Sequence, residues 1–273
     1  MTAASDQRTL RRGGVRSLSS GNSIAVVARG LQATKSSNWV VVVSGFVEPI
    51  FYLLSLGVGL GAYIGAVTDA AGNEIPYAAY IAPALLAVSA MNGAIYDSTW
   101  NVFFKMNFGK LYEGMLATSL GPLDIALGEI LLALFRGAVY GVGFQIVMQL
   151  MGLNLSWTAL LAVPAVLLIA FGFAAIGMGI TSYLKTFQEM EWIPFVLLPM
   201  FLFSATFYPL SVYPEPIQWV VQALPLWQGV ELVRGLTTGI LTEAMLIHVA
   251  YYLVMIAVGL FFTTRRLRAL FLD

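Results

Sequence analysis

The sequence contains no cysteine, a single histidine and very few charged residues. Without cysteine there is no disulfide, no thiol nucleophile and no thiolate metal site. The lone His248 excludes paired-histidine metal motifs such as H-E-x-x-H, and no metal site is expected. Asp, Glu, Lys and Arg make up 10% of the 273 residues, against about 25% in an ordinary soluble domain. A chain so poor in charge cannot cover a water-facing exterior. No G-x-x-x-x-G-K-[ST] phosphate loop occurs, so ATP is not bound in the usual way. A G-x-S-x-G nucleophile elbow and a T-V-G-Y-G ion filter are equally missing. The loops hold no paired carboxylates of the kind a membrane glycosyltransferase uses. No catalytic residue, no bound cofactor and no nucleic-acid partner is expected. Arg8, Arg11, Arg12 and Arg16 are not followed directly by an uninterrupted apolar core, which argues against a cleaved signal peptide.

What is abundant is apolar: 59% of the residues are hydrophobic and the mean hydropathy is +0.83. About 20 apolar residues cross a bilayer as a helix. Six stretches qualify, near Trp39–Ile64, Ala78–Phe104, Leu123–Leu150, Thr158–Tyr183, Trp192–Tyr208 and Ala244–Phe262. The fifth is short and contains Pro194 and Pro199, so it is expected to bend. With a cytoplasmic N-terminus, the inner segments hold twelve of the fourteen Lys and Arg residues, from the N-terminal arginines through Arg29, Lys35, Lys105, Lys110 and Lys185 to Arg265, Arg266 and Arg268. The outer segments hold Arg234 with Asp69, Glu74, Glu215, Glu231 and Glu243. That asymmetry predicts six spans with both ends cytoplasmic.

Three further segments stand out. Residues 1–21 read as a flexible basic tail. In residues 22–38, Ile24, Val27, Ala28 and Leu31 recur at helical spacing, which predicts a helix lying in the membrane interface. After the second span, Phe108, Leu111, Tyr112, Met115 and Leu116 repeat that spacing, with Lys105, Lys110 and Glu113 between them. This apolar face needs a cover: lipid, the rest of this chain, or a second protein. Between spans five and six, Pro209, Pro214, Pro216 and Pro225 cut the chain into pieces too short to cross, which reads as a shallow outer re-entrant hairpin.

Charges inside spans cost roughly 2.5–3.5 kcal/mol each on insertion scales and need partners. The candidates are Glu48, Asp97, Glu129 and Arg136, with Arg136 expected to pair with Glu48 or Glu129. Span two carries a polar stripe of Ser89, Asn92, Tyr96 and Thr99, suited either to helix packing or to a translocation path. His248 reads as a helix-packing hydrogen bonder. Gly57, Gly59, Gly61 and Gly65 punctuate span one, and Gly137-x-x-x-Gly141 permits close helix approach in span three.

Span one ends GVGLGAYIG, and span two opens YAAYIAPALLAVSAM. The segment KLYEGMLATSLGPLDIALGEI leads into LLALFRG, and LFSATFYPLSVYPEPIQWVVQALPLWQGVELVRGL follows span five. From about Ser23 to Arg268 the sequence resembles the type-2 ABC exporter permeases, and among them the NodJ-like lipooligosaccharide branch. The resemblance implies an all-α membrane fold: one transmembrane domain over residues 22–268, in the bacterial plasma membrane. It implies a half-transporter that pairs with a second permease copy or paralogue. A separate ABC ATPase subunit would bind ATP and Mg. The segment from Lys105 to Leu116 would be the coupling helix that docks into that ATPase. The helix before span one would be the connecting helix, and the hairpin after span five the outer gate. Membrane lipid surrounds such a protein, and the cargo would be amphipathic: a lipid-linked oligosaccharide, a glycolipid or a hydrophobic drug. An ion-coupled secondary transporter is the alternative, with its coupling ion carried by Glu48, Asp97, Glu129 or Arg136. It expects inverted repeats, and spans one to three show no convincing similarity to spans four to six.

Overall fold

The computed structural model describes residues 21–35, 47, 49–69 and 72–271. The basic tail, residues 36–46 at the start of span one, and Glu48 lie outside the described residues.

The first helix, α1 (Ser23–Lys35), lies where the 22–38 helix is predicted. It packs through a different face from the one its periodicity suggests. Val26 is buried, while Ile24 and Ala28 are exposed. The cause is a pair of exchanged glycines: Val26 sits over Gly128, and Leu132 sits over Gly30. A Cβ at either glycine would collide with the opposing side chain. Ile24, Val27 and Ala28 therefore lie on a second face, turned away from that contact, with Ile24 and Ala28 exposed.

Helix α2 (Pro49–Ile64) is apolar and contains a π-helical stretch, Leu53–Leu60. Gly65, at φ +75°, ends it. A short antiparallel hairpin follows, β1 (Ala66–Thr68) on β2 (Glu74–Pro76), with Val67 opposite Ile75. The helix-only expectation misses this hairpin. Its turn is closed by the Asp69 carboxylate, which accepts from the Asn73 backbone N–H at 2.8 Å and from its side-chain amide at 3.1 Å.

Helix α3 (Tyr77–Asn107) is the central post, buried along most of its length. Asp97–Asn101 within it is a π-helical turn. The elbow Gly109–Lys110, with Lys110 left-handed at φ 46°, leads to the six-residue α4 (Leu111–Leu116). Helix α5 (Pro122–Leu150) starts at a proline, and the Asp124 carboxylate accepts from the Gly121 N–H at 2.9 Å to close its first turn. Helix α6 spans Trp157–Thr181, α7 Trp192–Phe203 and α10 Ala244–Phe271. Between the last two come α8 (Glu215–Ala223) and α9 (Pro225–Thr238). Among the described residues, α3, α5, α6 and α10 are each long and apolar enough to cross a membrane. The fifth predicted span is shorter than expected: α7 has 12 residues and ends at Phe203, five residues before Tyr208.

Small residues bring the long helices together. A Cβ on Gly93 of α3 would stand 2.9 Å from the Gly137 Cα of α5, and one on Gly137 would stand 2.8 Å from the Ala170 Cβ of α6. Gly259 of α10 lies against the Ala175 backbone of α6 in the same way. Without a hydrophobic driving force between helices in lipid, this close packing is what holds them. The outer surface of the bundle is correspondingly apolar. Leu246, Ile247, Leu253, Val254, Phe261 and Phe262 of α10 are all exposed. A row of that length on one helix suits hydrocarbon as its neighbour, not water.

Candidate functional site

The charged residues of the spans meet at the end of the bundle that carries α1 and α4. On α3, Asp97, Asn101 and Lys105 follow one another along one face at intervals of four. On α5, Glu129 and Arg136 are seven apart and share a face. The two helices run antiparallel, so the late residue of one faces the early residue of the other. Arg136 Nε lies 3.0 Å from Asp97 Oδ2, and Lys105 Nζ lies 2.6 Å from Glu129 Oε2. The Asn101 side-chain amide donates to the other Asp97 oxygen at 2.7 Å. The Arg136 guanidinium also stands over the Tyr96 ring, 5.6 Å from its centre. Asp97 thus holds Arg136, and Glu129, one of its two expected partners, is engaged by Lys105 instead; Glu48, the other, lies outside the described residues.

All four side chains are largely withdrawn from solvent, Glu129 most of all at 3% exposure. Removing one member of such a pair strands the other. One donor is left over, since Arg136 Nη1 is buried with no hydrogen-bond partner among the described residues. Around these pairs lies a cavity of about 220 Å³, walled by Arg29, Gly30 and Leu31 of α1, Leu111 and Met115 of α4, and Leu132 to Tyr140 of α5.

Helix α4 forms the floor, and it resolves the open question of its apolar face. Tyr112, Met115 and Leu116 are buried within this chain, and Leu111 is half-buried. Burial pushes the Tyr112 phenol well above its ordinary range, and the charge of Glu129 pushes it further. The side left outward is Phe108, Gly109, Lys110, Glu113, Gly114 and Ala117 to Ser119. Phe108 stacks with Phe104, which meets Phe187 from the α6–α7 loop, an exposed aromatic patch beside the helix.

The polar stripe of α3 is divided. Ser89 is fully buried, and Asn92 lines a cavity of about 240 Å³ between α2, α3 and α7. Tyr96 is half exposed beside Arg136. Thr99 is buried and donates to the Ile95 carbonyl at 2.6 Å. The π turn at Asp97–Asn101 rotates Thr99 away from the face an uninterrupted α-helix would give it.

A second polar cluster occupies the opposite end, around α9; of its members the sequence singles out His248 as a helix-packing hydrogen bonder, but not the set around Arg234. Arg234, only 9% exposed, pairs with Glu231, donates to the Ala205 carbonyl at 2.9 Å and stands over the Tyr80 ring at 4.2 Å. Gln228 and His248 are hydrogen-bonded to each other, joining α9 to α10. The signal available in the sequence was the spacing Gln228, Glu231 and Arg234, three apart on one helix.

The family model described as ABC-2 type transporter matches residues 23–238, from α1 to the end of α9. The chain is 29% identical over 259 residues to Nodulation protein J of Rhizobium leguminosarum bv. viciae, covering 93% of this chain and 98% of that protein. It is 30% identical over 249 residues to Nodulation protein J of Rhizobium leguminosarum bv. trifolii, covering 90% and 93%. It is 32% identical over 215 residues to Nodulation protein J of Sinorhizobium fredii, covering 78% and 80%.

Proposed function

This chain belongs to the ABC-2 type transporter family, and we propose that it is the permease half of an exporter working in the bacterial plasma membrane. It is a membrane transport subunit, and the ATPase of such a system is a separate protein. In the proposed arrangement six helices span the bilayer, α2, α3, α5, α6, α7 and α10. Helices α1 and α4 face the cytoplasm with both chain ends, and α8–α9 form a shallow outer hairpin. Two permeases, identical or paralogous, pair in the membrane, and each meets one ATPase carrying ATP and Mg. Rocking of the pair moves an amphipathic cargo outward: a lipid-linked oligosaccharide, a glycolipid or a hydrophobic drug. Similarity to Nodulation protein J supports export without choosing among those cargoes.

The observation that carries this reading is the division of labour on α4. Its apolar side is filled from within, so it is rigidly seated, while Phe108, Lys110, Glu113 and Gly114 remain exposed beside an aromatic patch. A short, firmly seated helix with one free face is suited to transmit force from a docked partner into α3 and α5. The docking role therefore falls to the outward residues, and Leu111, Tyr112, Met115 and Leu116 act by holding the helix in place.

The test is purification from native membranes in mild detergent, with mass spectrometry of what accompanies the chain. A soluble subunit with a phosphate loop should be recovered, and lost from Phe108→Asp and Gly114→Trp variants that still insert normally. Recovery of this chain alone in repeated gentle extractions would instead favour an ion-coupled transporter.

A further inference from the structure

The cavity beside the charged pairs has chemistry that pairing alone leaves unused. Three cations border it, Arg29, Lys105 and Arg136, against two carboxylates, Asp97 and Glu129. Each carboxylate is already committed to one of the cations inside the bundle. Arg29 is exposed and makes no ion pair among the described residues. Arg136 Nη1 is buried and has no acceptor among them. The site therefore carries an excess positive charge and a buried donor with no acceptor among the described residues, which together call for an anion.

The walls say what kind of anion. Phe135, Val139, Val142 and Ile146 lie on one face of α5 at intervals of four, three and four. Phe135 and Val139 border the cavity, and Phe135, Val142 and Ile146 are exposed. An apolar rail thus leaves the polar cavity and runs along α5 away from the end of the bundle that carries α1 and α4. Its far end reaches a second cavity, which Val142 and Ile146 line together with Gln145 and Gln149. A free phosphate has no use for such a rail, whereas a phospholipid has both parts: an anionic head for the cations and a chain for the rail.

We propose that this cavity holds the phosphate head of an anionic phospholipid, with Arg136 and Arg29 as its ligands and one acyl chain along Phe135, Val142 and Ile146. The lipid is a resident component that ties α1 to α3 and α5, distinct from the exported cargo. It needs no ATPase to bind, so its failure would leave the proposed export function standing.

The experiment is native mass spectrometry of the full-length protein, delipidated in detergent and titrated with phosphatidylglycerol, together with a thermal unfolding curve at each addition. One lipid per chain should bind first and raise the unfolding temperature. Arg29→Gln, which disturbs no pair in the fold, should weaken that binding about tenfold, the loss of one charge-assisted contact. Val139→Trp should occlude the rail and lower binding further. The paired change Asp97→Asn with Arg136→Gln keeps the bundle neutral, and it should remove the specific site. Equal binding by wild type and by both Arg29→Gln and Val139→Trp would overturn the proposal. So would equal stabilisation by inorganic phosphate alone, which would make the site one for a soluble anion. Release of the lipid in step with ATP turnover in the reconstituted complex would make it cargo and overturn the resident role.

Discussion

Arg136 of α5 and Asp97 of α3 meet at 3.0 Å across two antiparallel helices, inside a π-helical turn that belongs to Asp97 alone of the pair. Both side chains are nearly sealed, at 13% and 10% exposure. Asp97→Ala or Arg136→Ala should each destabilise the protein by about 3–5 kcal/mol, because each leaves a buried charge alone. The double variant Asp97→Ala with Arg136→Ala should cost less than the sum of the two singles, since no buried charge is left alone. Unfolding midpoints in detergent for the four proteins of this cycle check it; strict additivity would mean that the two residues do not act as a pair.

The second pair should behave unequally. Glu129 is 3% exposed and Lys105 is 23% exposed on a long, flexible stem. Lys105→Met strands a carboxylate in the interior, whereas Glu129→Gln leaves an ammonium able to reach toward water. The lysine change should cost more stability than the glutamate change, by about 1–2 kcal/mol on the scale of stranded buried groups. The comparison needs only the two single variants in the same unfolding assay.

Close helix approach makes a third expectation. Gly137→Leu forces a side chain into the Ala90 carbonyl and the Ala170 methyl, and should cost about 1–3 kcal/mol as overpacking. Gly114→Ala on α4 meets open space and should leave stability unchanged. If both variants unfold at the wild-type temperature, the contact between α3, α5 and α6 is looser than described.

Arg234 gives a fourth. Its planar fork serves Glu231, the Ala205 carbonyl and the Tyr80 ring together, and Ala205 is held at a left-handed φ of 53°. Lysine cannot reproduce that fork. Arg234→Lys should therefore loosen α9 and the turn after α7 while leaving α5 and α6 intact. Hydrogen exchange should rise by roughly tenfold or more in residues 204–208 and 225–238, about 1.4 kcal/mol of local opening.

The bulk of the architecture was legible in the sequence because hydrophobic length is a strong signal. The third and fourth predicted spans, Leu123–Leu150 and Thr158–Tyr183, match α5 and α6 to within two residues at each end. What periodicity cannot reveal is which neighbour a face meets. The seam of α1 against α5 was not visible to periodicity, because Val26 finds Gly128, a contact between residues far apart in the chain. Spacing within one helix does not show which charges meet across two: the antiparallel run of α3 and α5 gives Glu129 to Lys105 and brings Asp97 to Arg136. Around α4 the spacing of Phe108, Leu111, Tyr112, Met115 and Leu116 shows an apolar face but not its cover; the protein's own interior covers Tyr112, Met115 and Leu116 and leaves Phe108 exposed. In the α9 cluster His248 is the packing hydrogen bonder its sequence suggests, whereas Arg234 counts in the sequence only as an outer charge, because its partners Ala205 and Tyr80 come from distant segments.

The π turn at Asp97–Asn101 also bears on how this helix tolerates changes of length. Deleting one residue from an ordinary α-helix swings everything beyond it by about 100°, which in α3 would turn Lys105 away from Glu129 and carry the elbow at Lys110 out of line. A wide turn already contains one residue more than the α-helical path requires. It can lose that residue by tightening, with the helix on either side kept in phase. Asp97–Asn101 is thus the stretch of α3 in which a single-residue gap can be absorbed, and relatives whose lengths differ by one within this span have a structural place to put the difference.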